Sequence, residues 1–340
     1  MPSYLVLAFV LTLVLALVLK DLPIGGRGGK SDDCQAISTT MAGLRVGVSI
    51  SVIIAAYNDW VALEGCLESL TRQTNGPDFE VIVIDDGSNE AAPETIRRFE
   101  SSLRLTIARQ THSGISAARN HGIRISSGEV LFFVDADCRV QANSLAALGA
   151  AIAHFPRHDC FQLRLTGNGS SVVGRAEQLR LGTFQERTLQ PDGRIRYLNT
   201  AGFAIRRART DIGTGLFDPG ALRGEDTLVL ANLMRAGELP LFVPDAIVEH
   251  DIPLSLMACL RKDIRSAYLE GRTYNVIESK GVSIRMAHRE RLRLLLSMWK
   301  TAGQPSIGRA AWFVLVSRQA VQRIISVLYK FIPATVDQRM

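Results

Sequence analysis

From residue 48 the chain alternates short β-branched runs with segments of helical period, and this alternation narrows the possible folds more than any other feature. Val48-Ser-Ile-Ser-Val-Ile-Ile54 is a strand by its length and β-branching, and Leu63, Cys66, Leu67 and Leu70 then repeat at helical spacing. Gly76-Pro77-Asp78 makes a turn before a second strand, Phe79–Ile84. A short helix near 93–100, a strand near 103–107 and a helix over 115–125 follow. Ser126-Ser127-Gly128 stops that helix ahead of a fourth strand, Val130–Val134. Largely apolar strands separated by helices predict an α/β fold, with a mainly parallel, Rossmann-like sheet covered by helices on both faces.

In sheets of this kind ligands bind beyond the carboxyl ends of the strands. The residues expected there are Tyr57-Asn58 after the first strand, Asp85-Asp86-Gly87-Ser88 after the second and Asp135-Ala136-Asp137 after the fourth. A dinucleotide site would carry G-x-G-x-x-G after the first strand, where this chain has Ala55-Ala56-Tyr57-Asn58, so a dehydrogenase is excluded. Carboxylates crowded at a strand end repel unless a cation neutralises them. Hard oxygen ligands at one or two carboxylates suit Mg²⁺ or Mn²⁺ held together with substrate phosphates. A lone D-x-D can also cap backbone amides in a turn; the neighbouring Asp85-Asp86 cluster favours the metal reading.

Composition removes other classes. Of 340 residues, 47% are apolar and 21% charged, which is ordinary for a chain that buries a core and excludes disorder. Mean hydropathy of +0.12 with one long charge-free run argues against a polytopic membrane protein. The net charge of +6 is concentrated at the end: residues 281–340 hold ten Lys or Arg against two Asp or Glu. The preceding body is slightly acidic and carries no basic stripe, which argues against nucleic acid as a partner. Five scattered cysteines without a C-x-x-C pair fit free structural thiols in a reducing compartment.

Residues 1–19 lack charge, and Tyr4 to Leu19 is apolar apart from Thr12, long enough to span a bilayer. No basic n-region precedes the run, and Lys20, Arg27 and Lys30 follow it. Residues 1–20 therefore read as a transmembrane anchor, single-pass in an inner or plasma membrane, with the catalytic bulk cytoplasmic. Residues 21–47 read as a flexible linker. Within them Ile24-Gly-Gly-Arg-Gly-Gly-Lys-Ser31 mimics a phosphate loop but lacks the first glycine and a preceding core strand.

Four segments in order carry a resemblance: Ser51-Val-Ile-Ile-Ala-Ala-Tyr-Asn58, Val83-Ile-Asp-Asp-Gly-Ser88, Gly114-Ile-Ser-Ala-Ala-Arg-Asn-His-Gly122 and Phe133-Val-Asp-Ala-Asp137, followed by Gly224-Glu225-Asp226. Over residues 48 to about 250 the chain resembles the family-2 glycosyltransferases, inverting enzymes of the GT-A fold that use nucleotide-sugar donors. The resemblance implies that Ala55, Tyr57 and Asp86 line the base and ribose pocket, that Arg119 faces the same nucleotide and that Asp135 also binds the nucleotide-sugar. Asp137 would be the direct ligand of a divalent Mn²⁺ or Mg²⁺, and His250 a second one. Asp226 would be the catalytic base for the acceptor hydroxyl. It also implies a nucleotide-sugar half over 48–150 and an acceptor and base half over 151–255. Ala55 stands where the family often has Pro, and His112 where Asn is common. No Q-x-x-R-W follows the base region, so transfer of one sugar to a glycan or lipid-linked acceptor is expected rather than polymer synthesis. A scaffold that keeps the fold without catalysis, or a nucleotidyltransferase, is the rival; the latter usually needs a glycine-rich basic loop near the first strand, and none is visible.

Residues 256–340 form a basic, helical tail. Over 310–332, Gln319, Gln322, Arg323, Ser326 and Lys330 share one arc, and Phe313, Val316, Ala320, Val321, Ile324, Val327, Leu328 and Phe331 the other. This pattern predicts a helix lying on a membrane surface, or one packed on its own domain or a dimer partner.

Overall fold

The computed structural model describes residues 47–210, 215–221, 223–250 and 288–328, with short helical stretches between 256 and 277. Strands β1 (Ile50–Ala56), β2 (Phe79–Asp85), β3 (Leu105–Arg109) and β4 (Val130–Phe133) run parallel in the order β3-β2-β1-β4. Ile50, Val52, Ile53 and Ile54 of β1 are all buried, as expected of a strand covered on both faces. Helices α1 (Trp60–Thr71), α2 (Glu94–Arg97) and α3 (Ile115–Ile125) connect these strands. Leu63, Cys66, Leu67 and Leu70 of α1 are buried, as their spacing requires.

Beyond β4 the sheet becomes mixed rather than mainly parallel, which corrects the sequence expectation. β5 (Cys138–Val140), β6 (Cys160–Gly167), β7 (Phe203–Arg206) and β8 (Leu241–His250) extend it in the order β4-β7-β6-β8-β5. β7 is antiparallel to β4 and β6, while β8 is parallel to β6 and antiparallel to β5. The reason lies in the connections: helical crossovers join the four strands of the first half, whereas β7 enters from a loop and a short 3₁₀ turn at Thr200–Gly202. Helices α4 (Ser144–His154), α5 (Val172–Thr188) and α6 (Glu225–Arg235) complete this part.

Two further helices, α7 (His288–Thr301) and α8 (Arg309–Leu328), pack on α5. Their contact is an apolar cluster of Ala176 and Leu179 with Leu294, Met298, Ile307, Ala311 and Leu315. The tail helix therefore packs on its own domain, and its orientation differs from the predicted arcs. Phe313 and Ile324 are exposed, while Gln322 turns inward and donates to Asp263. Buried carboxylates at Glu177 and Asp263 draw the polar side of α8 inward.

The single-pass membrane placement is also corrected: among the described residues no helix is long and apolar enough to cross a membrane. α8, at 20 residues, carries Arg309, Arg318 and Arg323, charges too costly for a lipid-exposed span. The proposed anchor over 1–20 and all but the last residue of the linker over 21–47 lie outside the described residues.

Candidate active site

Three strand ends meet as the parallel sheet requires. Tyr57 follows β1, Asp85 ends β2 and Asp86 follows it. The loops are pinned to each other, because the Asn58 amide donates to Ser88 Oγ at 2.9 Å and the Asn89 amide to Asn58 Oδ1 at 2.8 Å. Ala55 is half-buried next to Ala56, whose β2 partner is Asp85. Tyr57 is half exposed and stacks on His112, with ring centroids 4.2 Å apart. His112, at the position that departs from the family pattern, thereby extends the aromatic surface beside Tyr57.

Asp86 is buried, and its own chain occupies both carboxylate oxygens. Oδ1 accepts from Gln110 Nε2 at 2.7 Å and the Ser113 amide at 2.9 Å; Oδ2 accepts from the Gly114 amide at 2.9 Å. His112 Nδ1 lies 2.9 Å from Oδ2. Asp86 thus holds together the loop that leads into α3.

Arg119, expected to face the nucleotide, is buried. It is 2% exposed, with Nη2 donating to Asp135 Oδ1 and Nη1 to Glu225 Oε1, both at 2.7 Å, and its guanidinium lies 5.4 Å from the Phe217 ring centroid. A guanidinium cannot be deprotonated here, and burying it requires carboxylate partners on both sides. Burial alone would lower its pKa, but Asp135 and Glu225 raise it; burial would raise Glu225, but Arg119 lowers it. Arg119 is therefore an internal tie between Asp135 and Glu225. The next residue, Asn120, pins the segment ahead of α6: its Oδ1 accepts from the amides of Leu216 and Phe217 at 3.0 Å, and its Nδ2 donates to Phe217 O at 2.7 Å.

Because one guanidinium touches both Asp135 and Glu225, the D-x-D turn and the start of α6 stand only its width apart. Gly224, at φ +77°, takes a left-handed turn that suits glycine, making Glu225 and Asp226 the first two residues of α6. Asp226 is half-buried, and its Oδ1 accepts from the Thr227 amide at 2.6 Å and the Thr227 hydroxyl at 3.2 Å. A carboxylate in the first turn of a helix is favoured in its anionic form.

Asp137 meets His250 through strand pairing. β5 begins right after Asp137 and pairs antiparallel with β8, placing Cys138 opposite His250. His250 Nε2 lies 3.1 Å from Asp137 Oδ2, and ligand atoms of Asp137, Cys138 and His250 lie within 4.8 Å of one another. Burial and the charges of Asp135 and Asp137 push the Cys138 thiol well up, and its soft sulfur suits Mn²⁺ or Mg²⁺ poorly. Burial would raise Asp137 and lower His250, but their mutual hydrogen bond and charges move them the opposite way. Asp59 is raised by its own burial and by the charge of Asp137. Asp137 and His250 form an oxygen and nitrogen donor pair that suits Mn²⁺ or Mg²⁺, so the residues fit a divalent ion.

This α/β arrangement is a GT-A-like fold, and comparison with solved structures agrees. The mannosyltransferase PcManGT from Pyrobaculum calidifontis, in complex with GDP-Man and Mn²⁺, aligns with a TM-score of 0.56 over 83% of this chain and 87% of that one, at 16% identity. Residues 51–211 match the sequence model of Glycosyl transferase family 2. That segment is a family-2 glycosyltransferase domain. Among curated relatives, validoxylamine A glucosyltransferase of Streptomyces hygroscopicus subsp. limoneus is 40% identical over 89 residues, 25% of this chain and 20% of the relative. The PGL/p-HBAD biosynthesis glycosyltransferase of Mycobacterium tuberculosis (strain ATCC 25177 / H37Ra) is 36% identical over 112 residues, 32% of this chain and 43% of the relative. The chain thus matches less than half the length of either relative.

Proposed function

We propose that the protein is a metal-dependent, inverting glycosyltransferase that moves one sugar from a nucleoside-diphosphate sugar to a hydroxyl of a growing glycan. The observation that carries this reading is the convergence of Asp135, Asp137, His250 and the Glu225-Asp226 pair at one edge of the sheet, with Arg119 joining two of these segments. The similar mannosyltransferase holds GDP-Man and Mn²⁺, which supports a nucleotide-sugar donor and a divalent ion. Asp137 and His250 would hold that ion; when bound it supplies positive charge to the departing diphosphate. Tyr57 and His112 offer an aromatic surface for the base, next to the Asp86 loop.

An inverting transfer is a single in-line displacement at the anomeric carbon. Asp226 takes the proton of the acceptor hydroxyl as the new C–O bond forms and the bond to the diphosphate breaks. It stands in the first turn of α6 beside Glu225, on the segment that Arg119 ties to Asp135. Replacing it tests the assignment. Asp226→Asn should keep donor binding and lower transfer by about 10²–10⁴-fold, the usual share of a general base. Transfer at the unaltered rate in that variant would remove Asp226 from the role.

A further inference from the structure

The metal-site reading leaves unused a group of buried charges behind His250. Glu177 of α5 is 3% exposed and ion-pairs with Arg180, whose Nε donates at 3.0 Å. Arg318 of α8 comes within 3.7 Å of Glu177 Oε2 through Nη1, an ion-pair distance beyond hydrogen bonding. The same guanidinium grips Asp263 with two bonds, Nε to Oδ2 at 2.6 Å and Nη2 to Oδ1 at 3.0 Å, and Gln322 donates to that carboxylate at 3.0 Å.

Backbone geometry brings this group to the metal site. Gly167 ends β6 as the register partner of His250. A Cβ on Gly167 would lie 2.6 Å from Gly174 O and 2.9 Å from Gln178 N, so α5 rests directly on the strand end at the turn that carries Glu177. Register partners on neighbouring strands present their side chains to the same face of the sheet, so His250 lies on the face that the Gly167 Cβ position turns towards α5. A carboxylate behind a metal-site imidazole sets its orientation and basicity, and its loss typically weakens metal binding by about 10–100-fold.

We propose that Glu177 and Arg318 are positioning residues of the metal site: Glu177 backs His250, and Arg318 fixes Glu177 and the Asp263 turn, so the C-terminal helix forms part of the site's support. The proposal rests on the reading of Asp137 and His250 as metal ligands. The test is Mn²⁺ affinity of the full chain, measured from the free-ion electron paramagnetic resonance signal at a temperature where each variant is folded. Wild type, Asp137→Ala, Glu177→Gln, Arg318→Met and Arg318→Lys are compared. Glu177→Gln and Arg318→Met should each lose about 10–100-fold in Mn²⁺ affinity, with partial recovery in Arg318→Lys. Wild-type Mn²⁺ affinity in both Glu177→Gln and Arg318→Met would overturn the proposal, even if their melting temperatures fall. Should Arg318→Met not fold, wild-type affinity in the near-isosteric Glu177→Gln alone suffices to overturn it. Wild type that takes up no Mn²⁺, or takes it up as well after Asp137→Ala, instead overturns the metal-site reading and with it this inference.

Discussion

Arg119 reaches 2.7 Å to each of two carboxylates from different halves of the chain, and it is buried while doing so. Removing a buried cation of this kind leaves Asp135 and Glu225 repelling each other with their charges unpaired. Arg119→Met should therefore destabilise the fold by about 3–5 kcal/mol, the usual cost of breaking a buried pair from one side. The measurement is urea unfolding of the purified chain; a loss below about 1 kcal/mol would mean that the tie is not formed. Glu177 makes a pH-dependent prediction. Burial would raise it, but Arg180, His250 and Arg318 hold it at about 2, against 4.5 in the unfolded chain. Its pKa is depressed by folding, so its contribution is present above about 4.5 and is lost as pH falls towards about 2. The shift corresponds to something on the order of 3 kcal/mol. Glu177→Gln, neutral in both states, should flatten the acid limb of a stability-against-pH curve recorded from pH ~5 to ~3. An unchanged limb would show that Glu177 is not held charged.

At the scale of elements, the parallel half was legible because its strands are short, β-branched and closed by polar turns. The predicted helix over 115–125 coincides with α3, and the second strand falls within one residue of β2. Partners were less legible than elements. Arg119 stands in a motif, but only the packing of α3 against the start of α6 reveals that two carboxylates enclose it. The inward face of α8 was misjudged for the same reason. Helical periodicity ranks Gln322 as solvent-facing because it cannot register Asp263 buried in another segment. The meeting of Asp137 with His250 depends on the pairing of β5 with β8, which no local pattern encodes. Gly167 is the element-scale test. Gly167→Ala places a methyl 2.6 Å from a backbone oxygen of α5, and forcing the helix away should cost about 1–3 kcal/mol. Thermal unfolding checks it, and an unchanged midpoint would mean that α5 is not seated on β6 as described.

Across the whole molecule, the first half brings the strand-end carboxylates together, the second half contributes Asp226 and His250, and the C-terminal helices pack behind α5. The basic charge of residues 281–340 suggested a membrane surface, yet α7 and α8 bury Leu294, Met298, Ala311 and Leu315 against α5, and Arg318 is drawn inward by carboxylates. Composition records how much charge a segment carries but not whether its partner lies in solvent or in the protein. The central claim is that one edge of this sheet holds a nucleoside diphosphate through a divalent ion at Asp137. The most direct measurement is thermal stability with UDP, GDP, TDP and CMP, each with and without Mn²⁺, in wild type, Asp137→Ala and Asp226→Asn. A bound nucleotide at 100 times its dissociation constant adds roughly 2.7 kcal/mol. The account predicts Mn²⁺-dependent stabilisation by one nucleotide, kept in Asp226→Asn and lost in Asp137→Ala. No stabilisation of wild type by any of the four with Mn²⁺, or full stabilisation of Asp137→Ala, would contradict it.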